Sequence, residues 1–234
     1  NDTITNDAAI SLVSSSNAVT SAVSSSNSGF TLVGASFGEA AANASTSVTA
    51  DGTGIAGGEG IDEITSNAAI SVVTTSTANV SATSSVGAVT FGGSAGGKAL
   101  SDSSALVKAS ATGIEGGGVD DTITSNNDVT ATATSSGTVS SSSKADAAVV
   151  FGSASTNTVS DSAAVGAAEA AGISGGDGND TITSLGAVTS SADANLLVTA
   201  SSVSVSNATF GSAYASAASR ALSDANTEAV GIIG

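Results

Sequence analysis

A segment of 59 residues recurs through this chain, and that period limits its folds more than any single motif does. The groups Gly54-Ile55-Ala56-Gly57, Gly113-Ile114-Glu115-Gly116, Gly172-Ile173-Ser174-Gly175 and Gly231-Ile232-Ile233-Gly234 follow one another at that step. Asp62, Asp121 and Asp180 keep it too, while Asp2 precedes Asp62 by 60, so the first copy carries one extra residue. Eight residues after each aspartate stands Ile10, Ile70, Val129 or Val188. Phe37-Gly38, Phe91-Gly92, Phe151-Gly152 and Phe210-Gly211 read as a second landmark. Leu100-Ser101-Asp102, Val159-Ser160-Asp161 and Leu222-Ser223-Asp224 read as a third. A fixed period of this length means stacked units, each covering the apolar face of its neighbour. Residues 1–234 thus form one continuous array: a partial repeat 1–53, repeats 54–112, 113–171 and 172–230, and the start of another at 231–234.

Between the landmarks the pattern is that of strands. Ile10-Ser11-Leu12, Ile70-Ser71-Val72, Val203-Ser204-Val205 and Val129-Thr130-Ala131-Thr132-Ala133 alternate apolar and hydroxyl side chains with period two. Only two short alanine-rich pieces, 163–171 and 214–221, suggest helix, and neither has a clear cap. Aromatics make up 3% of the chain and Trp, Met, Cys, His and Pro are absent, so a core of large side chains cannot be built. Alanine, valine and isoleucine suit a thin core in which like residues stack in ladders. The expected fold is therefore all-β, a β-solenoid of the parallel β-helix or β-roll kind, with another repeat β architecture such as a propeller as the alternative. The likeness of residues 64–70 to 100–106 and 159–165 suggests two or more coils per repeat.

The charge is concentrated. The net charge is −16, with only Lys98, Lys108, Lys144 and Arg220 positive. Nine of the 20 acids (Asp2, Glu59, Asp62, Glu63, Glu115, Asp120, Asp121, Asp177 and Asp180) fall in one recurring turn, and none of the four cations does. That turn reads Gly57-Gly58-Glu59-Gly60-Ile61-Asp62-Glu63-Ile64-Thr65 in one copy and Gly175-Gly176-Asp177-Gly178-Asn179-Asp180-Thr181-Ile182-Thr183 in another. A third copy is Gly116-Gly117-Gly118-Val119-Asp120-Asp121-Thr122-Ile123-Thr124, and Asn1-Asp2-Thr3-Ile4-Thr5 is its back half. Glycines allow positive φ and can turn carbonyls inward, and an aspartate closing such a turn adds a hard anionic oxygen. Ca²⁺ takes six to eight oxygens of these kinds. Ile64, Ile123 and Ile182 are expected to face the core, with the flanking threonines outward.

The turn resembles the calcium-binding nonapeptide of the repeats-in-toxin (RTX) family, G-G-x-G-x-D-x-U-x. Residues 57–65 and 175–183 match every defined position, while 116–124 carry Val119 where the family has glycine. The resemblance implies that Asp62, Asp121 and Asp180, with Asp2 in the partial copy, supply carboxylate ligands. It implies that Glu59 and Asp177 assist, and that Gly57, Gly60, Gly116, Gly118, Gly175 and Gly178 shape the turn and offer carbonyls. It also implies a secreted bacterial protein, since family members are toxins, enzymes, adhesins and surface-layer proteins. Family arrays repeat the nonapeptide in tandem, whereas here one copy occurs per 59 residues.

Other functions are disfavoured by what the chain lacks. Four cations make nucleic acid and anionic membranes poor partners. No apolar run is long enough to insert in a bilayer. Without His or Cys the common catalytic triads and zinc sites cannot form, so no enzyme is expected. Thr3/Thr5, Thr122/Thr124 and Thr181/Thr183 resemble the Thr-x-Thr rows of ice-binding solenoids, though Glu63 interrupts the row. Joined tail to head, the two ends would rebuild the turn with three residues missing, as in a processed or excised segment. The expectation is an extracellular or cell-surface structural protein, stabilised by Ca²⁺, whose copies join head to tail into a filament, matrix or surface layer. Attachment to a cell surface is compatible with it. The alternative is a repeat segment of a secreted adhesin or an ice-binding module.

Overall fold

A computed structural model describes all residues from Asn1 to Gly234. Strands account for nearly the whole chain, and there is no helix. Four short strands, β1 (Thr3–Asn6), β3 (Glu63–Ser66), β5 (Thr122–Ser125) and β7 (Thr181–Ser184), alternate with four very long ones. These are β2 (Ile10–Glu59), β4 (Ile70–Gly118), β6 (Val129–Asp177) and β8 (Val188–Ile233). Short strands pair only with short and long only with long, always parallel and in chain order: β1-β3-β5-β7 and β2-β4-β6-β8. This is a β-solenoid. A propeller is excluded, because its blades need antiparallel partners within each repeat, and here every ladder joins one repeat to the next.

One repeat makes one coil. Ile70 pairs with Val129 and Val129 with Val188, and the register holds to the far end of each ribbon, where Ile55, Ile114, Ile173 and Ile232 align. The expectation of two or more coils per repeat is therefore corrected. The segments that suggested it, such as Ile64 to Ile70 and Leu100 to Leu106, lie at different places around the same coil. The alanine-rich pieces at 163–171 and 214–221 are strand, within β6 and β8. Alanine favours helix in isolation, but ladder pairing and burial outweigh the few tenths of a kcal/mol involved.

Each long ribbon doubles back on itself. Thr20 Oγ1 lies 2.8 Å from Thr46 Oγ1, Ser28 Oγ 3.0 Å from Ser36 Oγ, and Ser190 Oγ donates to the Val230 carbonyl at 2.7 Å. Two facing arms therefore meet at a bend near residues 31–34, 90–93, 149–152 and 208–211. At that bend Gly34, Gly93, Gly152 and Gly211 are in register and have φ between 119° and 145°. A Cβ on Gly93, Gly152 or Gly211 would run into the carbonyl of the glycine one coil back. The column must be glycine, because both the backbone sign and the coil spacing demand it.

The core is the slit between the arms. Its side chains alternate along each strand, as in Ile70, Val72, Thr74, Ser76, Ala78, Val80 and Ala82, which are all buried. Apolar clusters around Ile64/Ile114/Ile123 and Val80/Val107/Val139 are separated by rows of serine. Those serines bridge the arms: Ser101 Oγ donates to the Ser142 carbonyl at 2.6 Å, Ser103 to Ser140 at 2.7 Å and Ser162 to Thr199 at 2.6 Å. The hydroxyls can be buried because the facing backbone accepts from them.

Two of the sequence landmarks are only partly in register. Phe151 aligns with Phe210, but Phe91 pairs one residue out, and Phe37 aligns with Gly96. Leu100 aligns with Val159, whereas the position below Val159 is Ala218 and not Leu222. The ladder follows the continuous alternation instead.

Candidate metal centre

Each coil leads into the next through the acidic turn, opposite the glycine bend. Two left-handed residues reverse the backbone there: Gly58 and Gly60 in one copy, Gly176 and Gly178 in another, with φ from 96° to 129°. In the third copy Gly117 is followed by Val119 at φ 78°, so valine takes up the conformation that glycine holds elsewhere. For a β-branched residue this costs about 1–2 kcal/mol. The turn is kept in spite of the substitution because the paired ribbons on either side of it leave no other path.

The turns stack the aspartates into one column. Asp2 N–H donates to Asp62 Oδ1 at 2.6 Å, Asp62 N–H to Asp121 Oδ1 at 2.8 Å, and Asp121 N–H to Asp180 Oδ1 at 2.8 Å. Asp62 and Asp121 are buried and Asp180 nearly so, while Asp2 at the outer coil is exposed. The second oxygen of each inner carboxylate has no partner: Asp62 Oδ2, Asp121 Oδ2 and Asp180 Oδ2 are buried without a hydrogen bond. Each lies over the glycine that opens its own turn, where a Cβ on Gly57, Gly116 or Gly175 would strike it. These three glycines thus make room for the carboxylates. Ile64, Ile123 and Ile182 pack inward behind them, as the spacing predicts, with Thr122 and Thr181 facing outward.

The remaining predicted residues divide. Gly60 and Gly178 supply the left-handed turn, and Gly118 holds the register position between Glu59 and Asp177. Glu59 and Asp177 are exposed, outside the buried column, so the structure does not join them to the aspartate oxygens. No three acidic side chains converge on a single point. Asp120 and Asn1, outside the predicted ligand set, each make one outer coil-to-coil bond: Asp120 Oδ1 accepts from Asn179 N–H at 2.9 Å, and Asn1 Oδ1 from Ile61 N–H at 2.8 Å. The Asp120-Asp121 doublet was the available signal, since only one of two adjacent carboxylates can face inward.

Electrostatically the column is unbalanced. Coils stack at roughly 4.8 Å, and like charges at that spacing repel by about 3–4 kcal/mol per neighbouring pair at an effective dielectric of 20. The only protein cation beside it is the first amino group, 3.7 Å from Asp62 Oδ1. The side-chain ion pairs, Lys98–Glu39 and Lys144–Asp146, lie elsewhere on exposed strands. The unpaired donors are oxygens only, the buried Oδ2 atoms of Asp62, Asp121 and Asp180, a chemistry that fits a hard divalent cation. Comparison with protein-family models, curated proteins and solved structures finds no match for this chain.

Proposed function

We infer that this chain is a non-enzymatic structural solenoid of the extracellular space, held at its acidic turns by Ca²⁺ and extended by further copies added head to tail. The observation that carries this reading is the aspartate column, whose buried second oxygens at Asp62, Asp121 and Asp180 have no partner in the protein. Within residues 1–234 β2 and β8 each pair on one side, and their backbone register allows a further coil to be added there. Unprotected edges of this length are templates for pairing. The existing 149 ladder bonds spread over three coil-to-coil interfaces, so an added copy in the same register would gain about fifty more, a large contact even at small net values per bond. In that register Asp2 of the added copy follows Asp180 at the same coil-to-coil step that joins Asp62, Asp121 and Asp180. The aspartate column would then run on through the junction, and its charge is the reason for calcium dependence.

Calcium is supported by the orphaned carboxylate oxygens and by the lack of any side-chain cation along the column. The RTX-like spacing of the turn points the same way. The chain prepared in chelator should stay short, and calcium should drive it into filaments with a cross-β spacing along the fibre axis. Electron microscopy and fibre diffraction check this. Chains that remain single in calcium, or fibres indifferent to chelation, would sink the reading. A second reading, a repeat segment of a secreted adhesin, is favoured by one feature: an exposed aromatic row at the bend.

A further inference from the structure

Every aromatic residue of the protein lies at one narrow edge. Phe30, Phe37, Phe91, Phe151, Phe210 and Tyr214 all fall within eight register positions around the glycine bend, at the opposite end of the coil from the acidic turn. They are 43–67% exposed, and the two on inner coils, Phe91 and Phe151, are still 43% and 49% exposed although coils flank them on both sides. Phe151 and Phe210 stack with centroids 5.0 Å apart and planes 10° apart, and Phe91 meets Phe151 edge-on at 5.6 Å. Leu32, Val33 and Val89 extend the row and are exposed as well. No acid or base occurs in residues 28–38, 87–97, 147–156 or 206–217.

We propose that this edge is a lateral contact between copies of this chain, tip against tip, which joins solenoids side by side. The proposal rests on the head-to-tail reading above. Charge selects the occupant. Each chain carries −16, so two copies repel wherever their acidic faces approach, and the bend is an uncharged stretch that also carries the exposed rings. Spacing makes the row complementary to itself, because both partners repeat at the same coil step and their rings can interleave. Size then decides when the contact holds. Four coils make a row about 19 Å tall and about 10 Å wide, on the order of 200 Å² per chain, against about 800 Å² per partner in a stable interface. One chain cannot hold another this way. A stack of roughly four or more chains reaches that area, so lateral association belongs to filaments and not to single subunits.

The test compares the wild-type chain with one carrying Phe91→Ser, Phe151→Ser and Phe210→Ser, which removes the two ring contacts at the edge and leaves the buried slit untouched. In calcium, wild-type filaments should pair and bundle once they exceed a few subunits, while the variant should form filaments of the same length that stay single. Added salt should widen wild-type bundles by screening the like charge and leave the variant single. A circular dichroism melt confirms that the variant is folded, and Phe→Leu at the same positions should restore bundling. Wild-type filaments that never pair, or variant filaments that bundle equally, overturn the lateral contact while leaving head-to-tail growth intact. Filaments that ignore one another but bind neutral lipid vesicles or polystyrene through the three phenylalanines overturn it in favour of an adhesive edge. If neither protein forms filaments, the head-to-tail reading fails and the lateral contact fails with it.

Discussion

Asp62, Asp121 and Asp180 each commit one oxygen to a backbone N–H of the preceding coil and leave the other buried and unpaired. The first oxygen does structural work that an amide could do equally well. The second carries charge that no side-chain cation balances. Asp→Asn at all three positions separates the two roles, since asparagine keeps the accepting oxygen and removes the charge. In chelator the triple variant should be more stable than the wild type, by about 1–3 kcal/mol, because the column no longer repels itself. In calcium the order should reverse. A cation at 100 times its dissociation constant stabilises the wild type by about 2.7 kcal/mol per site, and the variant has lost the ligand. Thermal melts of both proteins with and without calcium measure this. A wild type whose melting temperature ignores calcium would remove the metal from the account.

At the scale of the ribbon, alternation decides everything, and one extra residue is enough to test it. The offset between coil 1 and coil 2 is 60 up to Ser28 and 59 from Phe30 onward, so the surplus residue is Gly29, bulged out at the bend with open space around its Cα. Deleting Gly29 should leave the melting temperature unchanged or slightly raised. Deleting Ala78, in the middle of an arm, would invert every side chain from there to the bend and place Asn79 and Ser81 in the slit. That variant should lose several kcal/mol or fail to fold, and equal behaviour of the two deletions would contradict the register. The same alternation explains what the sequence made legible. The period, the strand type and the inward isoleucines after each aspartate could be read directly, because β-branched residues at every second position have one physical meaning. Coil number could not, since serine occupies both faces of these strands. Ser101, Ser103 and Ser160 are buried where a hydroxyl would be placed outside, and only the facing arm, 37 to 41 residues away in the chain, explains why. Nor could the sequence tell which acids of the turn face inward: Glu59 and Asp177 sit one backbone reversal before the aspartates, and that reversal turns them to solvent.

For the whole molecule, stability must be unequal along the stack. Within residues 1–234 the coils of β4 and β6 are paired on both sides and those of β2 and β8 on one, so in this stretch alone alternate backbone groups of the outer ribbons lack a ladder partner. Repeat arrays distribute stability through such neighbour contacts, and outer units open first. Amide hydrogen exchange on single chains held in chelator should therefore show slow exchange across β4 and β6 and fast exchange at every second amide of β2 and β8. If copies add head to tail, the fast amides of both outer ribbons become ladder amides at the junction. Assembly in calcium should then protect β2 and β8 to the level of the inner coils, while the phenylalanine bend, bound only through side chains, gains little backbone protection. Assemblies in which only one outer ribbon is protected would mean that like ends meet and growth stops at a pair. Assemblies with no new protection would mean that the ends stay open and copies join elsewhere. Only the head-to-tail junction protects both edges in every internal subunit, which makes exchange at β2 and β8 a direct reading of how the solenoid is extended.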